Sequence, residues 1–406
     1  MADTVLGRRL RQLRKEAGLS QAELAERAGI SVQAIGALER GDRRQPYPRT
    51  LRALMDALHV SKAERMSLLA AAAMPVPDIR AGERESFVAP PRAAQLPPDT
   101  ADFTGRSDEL ARIAEVLERI DQPGGVAPPI CAISGKAGAG KSALALHAAH
   151  LGKHRFPDIQ LYAALRGQDA EPRPPGSVLG AFLRALGVSG ESVPQHVDDQ
   201  STLYRSLLDG RTALVVLDNA LDERQVQPLL PGSPTCAVLV TSRQPLTALP
   251  GVELLELRDM VPDDAVSLLG RIAGAARVHG QSGQAEEIVR LCGQLPLAVR
   301  IAGALLTGRP YWPLARLVER LADERMRLDE LRAGDLDLRA SFSLSYRSLP
   351  GEQARVFRLL ALVPGSTFSL DLVAAMARMD RDATEDALDR LCHAQLVRAE
   401  IGRAHV

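Results

Sequence analysis

Apolar residues first recur at helical spacing and later gather into short unbroken runs, and the change of pattern divides the chain. Leu6, Leu10 and Leu13 lie on one helical face, and Gly18 stops that helix. Ser20 then caps Gln21–Ala28, with Glu23 at the capping-box position. Gly29 and Ile30 make a tight turn, and Ser31 opens a third helix from Val32 to Arg40, closed by Gly41. Two short helices around a glycine turn are the signature of a helix-turn-helix. Two more helices are expected over 49–58 and 61–73. From Met74 the periodicity dissolves under Pro75, Pro77, Pro90, Pro91, Pro97 and Pro98, which reads as a proline-stiffened linker over 75–101.

From Asp102 apolar runs alternate with helical segments. Ile130–Ser134, Gln160–Leu165, Ala213–Leu217, Ala237–Thr241 and Leu254–Leu257 are short enough for buried parallel strands. Helices such as Val178–Leu186 and Ser201–Leu208 complete an α/β sandwich. The expected architecture is therefore multi-domain. An all-α helix-turn-helix head (1–74) precedes an α/β body with a parallel sheet.

The chemistry concentrates after the first strand. Gly135, Lys136, Ala137, Gly138, Ala139, Gly140, Lys141 and Ser142 fit the phosphate-loop pattern, and Ala143 begins the helix that should follow. Small residues let backbone N–H groups and a helix N-terminus surround a phosphate chain. Lys141 is expected at the β/γ-phosphates and the Ser142 hydroxyl on Mg²⁺. The chain has 45 Arg and only five Lys, and two of the five sit in this loop. Leu214–Leu217 is an apolar strand ending in Asp218, the Walker B arrangement for the same Mg²⁺. Asn219 follows, where a hydrolytic enzyme often carries a second acid; an amide is a poor general base, so any ATP hydrolysis is expected to be slow. Thr241-Ser242-Arg243 closes the next strand, placing a cation where it could sense a γ-phosphate. Gly293 and Pro296 interrupt a helical pattern, which calls for a packing turn or a ligand contact.

Composition adds less. Hydrophobic residues make up 46% and charged residues 25%, ordinary for a globular chain. Net charge is zero, yet residues 1–74 carry 13 Lys/Arg against 8 Asp/Glu, a basic head on an acidic body. Cys131, Cys236, Cys292 and Cys392 show no metal-ligand spacing and read as buried thiols of a cytoplasmic protein. No apolar run is long enough to span a membrane, and no signal peptide is visible.

The run from Leu19-Ser20-Gln21-Ala22-Glu23-Leu24-Ala25 through Gly29-Ile30-Ser31 to Leu38-Glu39-Arg40-Gly41 resembles the lambda-repressor-like (XRE) DNA-binding domains. The resemblance implies that the third helix enters the major groove of double-stranded DNA. It sets Val32, Gln33, Gly36 and Ala37 toward bases, Ser31 beside them, and Gln21 and Arg40 at phosphates, with Arg43, Arg44 and Arg49 adding phosphate contacts. Gln33 is the side chain able to read adenine in bidentate fashion.

The body resembles the NB-ARC group of STAND nucleotide switches. The resemblance is carried by Asp102-Phe103-Thr104-Gly105-Arg106, the phosphate loop, Val216-Leu217-Asp218-Asn219, Val240-Thr241-Ser242-Arg243, Gly293-Gln294-Leu295-Pro296-Leu297-Ala298 and Ser341-Phe342-Ser343-Leu344-Ser345-Tyr346. It implies an α/β P-loop NTPase over 102–260, a helical lid over 261–338 and a winged-helix subdomain over 339–406, with Phe103, Gly105 and Arg106 flanking the adenine of ATP or ADP and Pro296 packing on it. Lys141, Ser142, Asp218 and Arg243 would then handle phosphates and Mg²⁺. In that family a histidine of the winged helix contacts bound ADP. His405 either belongs to that motif or lies just before it, and the final strands and a C-terminal sensor are expected beyond Val406. The resulting expectation is a nucleotide-gated transcription regulator that self-associates in its ATP state. Two alternatives are a bacterial immune-type sensor whose head recruits an effector, and a working ATPase.

Overall fold

The computed structural model describes residues 5–39, 50, 54–55, 57–58, 60, 93–121, 124–169, 171–347, 349–363, 365, 367–400 and 403–405. The chain forms two compact units, Met1–Ser86 and Phe87–Val406.

In the first unit α1 (Val5–Glu16), α2 (Gln21–Ala28) and α3 (Val32–Glu39) surround a small core of Leu10, Leu13, Leu24, Ile35 and Leu38, joined by Leu54 and Met55. The capping box forms as read: Ser20 Oγ accepts from Glu23 N at 3.2 Å, and Glu23 Oε2 accepts from Ser20 N at 2.7 Å. Gly29 ends α2 at φ 64°, a left-handed position suited to glycine. Under this core lies a buried charge that the helical pattern does not reveal. Glu39 is 1% exposed and receives both Arg14 Nε (2.7 Å) and Nη2 (3.0 Å), and Gln21 Nε2 (2.7 Å).

The second unit is built on six parallel strands: β1 (Ala93–Ala94), β2 (Ile130–Ser134), β3 (Ile159–Ala164), β4 (Ala213–Ala220), β5 (Cys236–Ser242) and β6 (Val252–Glu256). They lie in the order β1-β3-β4-β5-β2-β6, with every pairing parallel. Helices cover both faces, which is why the central strands β2 and β5 are buried at every position rather than at alternate ones. On one face α6 (Pro175–Ala185) and α7 (Val197–Leu208) pack over Leu161, Val215 and Val238. The other face carries α4 (Ser107–Glu118) and α5 (Lys141–Gly152).

That second core runs on without a break into the lid. A short α8 (Glu223–Val226) precedes β5. After β6 come α9 (Pro262–Ala273), α10 (Ala275–His279), α11 (Ser282–Leu291), α12 (Pro296–Thr307), α13 (Leu314–Ala322) and α14 (Arg327–Glu330), then a two-stranded β7 (Arg332–Ala333) and β8 (Leu336–Asp337). Leu269, Ile301 and Leu317 belong to the same apolar cluster as Ile133 and Leu239 of the sheet. The last part holds α15 (Leu338–Arg347), α16 (Gly351–Leu360), β9 (Thr367–Phe368), α17 (Leu370–Ala377), α18 (Arg381–His393), β10 (Arg398–Glu400) and β11 (Arg403–His405). Its helices share a separate core of Val356, Leu360, Phe368, Val373 and Leu391.

Three boundaries differ from the sequence reading. The segment read as linker already belongs to the body from Ala93: β1 pairs with Ile159–Gln160, and two residues are too few for a hydrophobic pattern to register. Residues 75–92 lie outside the described residues. The winged-helix strands expected to be missing are present, since β10, β11 and β9 form a three-stranded antiparallel sheet. Finally, α15 is not cleanly part of the last subdomain, because Leu338 is buried in the large core and Phe342 packs on it.

Candidate nucleotide site and DNA-reading helix

The phosphate loop joins β2 to α5, and its glycines are where the backbone needs them. Gly135, Gly138 and Gly140 take φ of 146°, 78° and 90°. A Cβ on Gly135 would stand 2.7 Å from the Leu257 carbonyl, and one on Gly138 would stand 3.0 Å from Leu297 Cβ. Leu297 N–H donates to the Gly138 carbonyl at 3.1 Å, so the start of α12 is stitched onto the loop. The Gly293-to-Pro296 break is thus a packing turn: Gly293 and Gln294 adopt positive φ, and Pro296 is the first residue of α12.

A cavity of about 280 Å³ opens beside the loop. Gly138 to Ala143 form one wall, Phe103 and Arg106 another, and Pro296 and Leu297 a third. Of the expected nucleotide ligands, Gly105 stays off the wall at φ 70°, where a Cβ would meet the Asp264 carboxylate. Gly135, Lys136 and Ala137 do not line the cavity, and the Lys136 ammonium turns to Asp259 at 2.5 Å. Sequence reasoning also missed neighbours of the site. His147 stacks on Phe103 with centroids 4.1 Å apart and meets Asp99 at 2.9 Å, and Arg300 donates to Asp102 at 2.6 Å. No motif flagged His147 or Arg300, and Asp99 was hidden in the proline-rich stretch.

Lys141 is poised but committed to the loop itself, donating to the carbonyls of Gly135 (2.7 Å) and Lys136 (2.9 Å). Burial, and secondarily the charge of Arg243, push its ammonium down to about 8, while Asp218 opposes them. The unfolded chain therefore holds more protons than the folded one between pH 8 and 10.5, and the stability of the unliganded body rises with pH across that window. An incoming phosphate reverses this by favouring the charged amine. Nucleotide binding should take up a proton above pH 8, and affinity should fall with rising pH by up to about tenfold per unit. Calorimetry at pH 8.5 in buffers of different ionisation enthalpy reads that uptake directly.

Asp218 is preset as an oxygen ligand. Thr241 Oγ1 donates to its Oδ1 at 2.7 Å, and Tyr162 OH lies 3.4 Å from Oδ2. Together with the exposed Ser142 hydroxyl it gives two hard oxygen donors, a set that fits Mg²⁺ completed by phosphate and water. Asn219, the next residue, sits at φ 57° and gives its N–H to Thr241 Oγ1 at 2.8 Å, where β4 bulges against β5. Arg243, just past β5, is mostly buried and donates to Ser345 Oγ of α15. Burial lowers its guanidinium from the usual arginine value.

In the first unit Ser31, Val32 and Gln33 are exposed at the start of α3, and Ser31 Oγ accepts from Ala34 N at 3.2 Å. Ala37 is half-buried. Gly36 is buried, which corrects its expected place toward bases. Gln21 is likewise corrected, since its amide serves Glu39 rather than projecting outward. Arg40, Arg43, Arg44 and Arg49 lie outside the described residues. Cys131, Cys236 and Cys292 are buried. Among the described residues no helix is long and apolar enough to cross a membrane, and no cluster of acidic, histidine and cysteine side chains forms a metal cage.

A helix-turn-helix domain family matches residues 5–68. The regulatory protein AfsR of Streptomyces griseus is 46% identical over 306 residues, 75% of this chain and 31% of AfsR. AfsR of Streptomyces coelicolor is 43% identical over 322 residues, covering 79% and 32% of the two chains. The chain thus spans about a third of the length of these relatives. A solved structure of a Walker-type ATPase from Pyrococcus abyssi aligns at 15% identity and a TM-score of 0.49, over 77% of this chain and 96% of that one. Residues 5–68 thus match a helix-turn-helix domain family, and about three quarters of the chain is similar to the AfsR regulatory proteins.

Proposed function

We propose that this chain is a DNA-binding transcription regulator whose state is set by ATP or ADP with Mg²⁺ in the phosphate-loop cavity, and which self-associates in the ATP state. The observation that carries the switch is the bond from Arg243 to Ser345. Arg243 leaves the end of a sheet strand close enough to depress the Lys141 ammonium, yet its hydrogen bond is spent on a neutral hydroxyl of α15. A γ-phosphate is a far stronger partner, because charge-assisted bonds are about twice as strong as neutral ones. ATP would draw Arg243 inward and free the far end of α15. ADP, lacking that group, would leave the tie in place. The ligand then acts only through its different affinity for the two arrangements.

The first experiment is to denature the purified chain and identify any released nucleotide. Stoichiometric ADP supports a closed resting switch, whereas a chain that neither carries nor binds nucleotide overturns the proposal. Arg243→Ala should keep ADP binding within a few-fold while removing the preference for the ATP-bound assembly, read by light scattering with each nucleotide. Unchanged assembly would take Arg243 out of the switch.

The head supplies the DNA reading. Exposed Gln33 and Val32 at the N-terminal end of α3 are the side chains placed to meet base edges. Gln33→Ala should weaken operator binding by about 1–3 kcal/mol and leave non-specific binding nearly unchanged. Equal losses on both DNAs, in titrations at one salt concentration, would mean that α3 does not read bases. Self-association would place several heads together and raise avidity without new contacts.

A further inference from the structure

Behind the phosphate loop, and sharing no lining residue with the nucleotide cavity, lies a larger cavity of about 850 Å³. It falls within the size range of small-molecule sites. Its charge is unbalanced. Lys136 and Arg398 both turn to the single carboxylate of Asp259, so one negative group serves two cations and positive charge is left facing the space. Lys136 and Arg398 hold the Asp259 carboxyl below its usual range, against the upward push of burial. Arg339 also lines the space and is paired with Asp329 at 2.8 Å. Between these charges the wall is apolar and aromatic, with Phe342 and Tyr346 from one face of α15.

We infer that this cavity binds a small aromatic monoanion, an aryl carboxylate or sulfonate. The ring would lie against Phe342 and Tyr346, where aromatic contacts add to plain burial. The acid group would take Arg398, whose guanidinium can grip a carboxylate with two parallel bonds. Asp259 would keep Lys136, so occupancy exchanges one partner of Arg398 for another without leaving any charge unpaired. Because Lys136 is a residue of the phosphate loop and Arg398 opens β10, the site touches both the loop and the last subdomain. The inference does not depend on the nucleotide switch: it needs only the charge count and the walls of this cavity.

The test uses 8-anilinonaphthalene-1-sulfonate, an aromatic sulfonate whose fluorescence rises on transfer to an apolar site, titrated into the whole chain. One saturable equivalent is expected. Arg398→Gln and Arg339→Gln should each weaken it tenfold or more while the circular dichroism of the folded chain is retained, because both side chains are largely exposed and outside the cores. Lys141→Ala should leave dye binding as it was, and ATP should not compete. Dye binding indifferent to both arginine substitutions, displacement of the dye by ATP, or uptake without saturation would each overturn the inference. Failure of the chain to bind ATP would sink the nucleotide reading alone and leave the arginine result decisive.

Discussion

Lys141→Ala should lower ATP and ADP affinity by at least about a hundredfold while leaving the head folded. The size follows from what the side chain does. Truncating one partner of a buried charge pair costs roughly 2–5 kcal/mol, and a phosphate facing the vacated space would be left unpaired. A second contribution comes from the loop. Lys141 donates to the carbonyls of Gly135 and Lys136, so its removal also loosens the backbone that must aim N–H groups at the anion. Isothermal titration of each nucleotide, with the thermal unfolding of the head as a control, measures both. Unaltered affinity would end the assignment of this loop as a phosphate site.

Glu39→Ala should unfold the head. Removing one member of a buried ion pair costs about 3–5 kcal/mol, because the survivor stays buried and uncompensated. Here the survivor is Arg14, whose side chain is only 12% exposed, and Gln21 loses its acceptor as well. A domain of this size rarely commands more than about 3–5 kcal/mol in all. The same pair imposes a pH dependence. Desolvation alone would raise the Glu39 carboxyl, but Arg14 and Gln21 outweigh it and hold it below its usual value. Its contribution is therefore complete above the unfolded value of about 4.5 and is lost as pH falls through the lower folded value. Circular dichroism of residues 1–86 against pH, beside nucleotide binding by the full variant, checks the claim. A head that melts normally without Glu39 would refute it.

How much of this was readable beforehand depended on whether a feature is local. The capping box, the phosphate loop, the parallel strands and the turn at Pro296 are written in residues a few positions apart, and each formed where its pattern placed it. Pairings across long separations were not readable. Nothing around Glu39 announces that Arg14, 25 residues earlier, will meet it underground. Lys136 looked like a phosphate ligand because it sits in the motif, yet Asp259 captures it from 123 positions away. Gly36 looked exposed because helix position alone does not say which way α3 has turned. Short strands also escaped: β1 has two residues and β10 and β11 three each, below the length at which alternation becomes a signal.

The unbroken core beneath the sheet and lid has a consequence for how the body can come apart. Leu269, Ile301 and Leu317 share apolar contacts with the sheet, so the lid melts with it as one cooperative block and cannot hinge away on its own. Residues 349–405 keep a private core, and their ties to the block include the ion pair of Arg398 with Asp259. Such ties trade readily for water or a competing anion at little net cost. The fault line of the molecule therefore runs past the far end of α15, and that helix, rooted in the block by Leu338, is the axle on which the last subdomain turns.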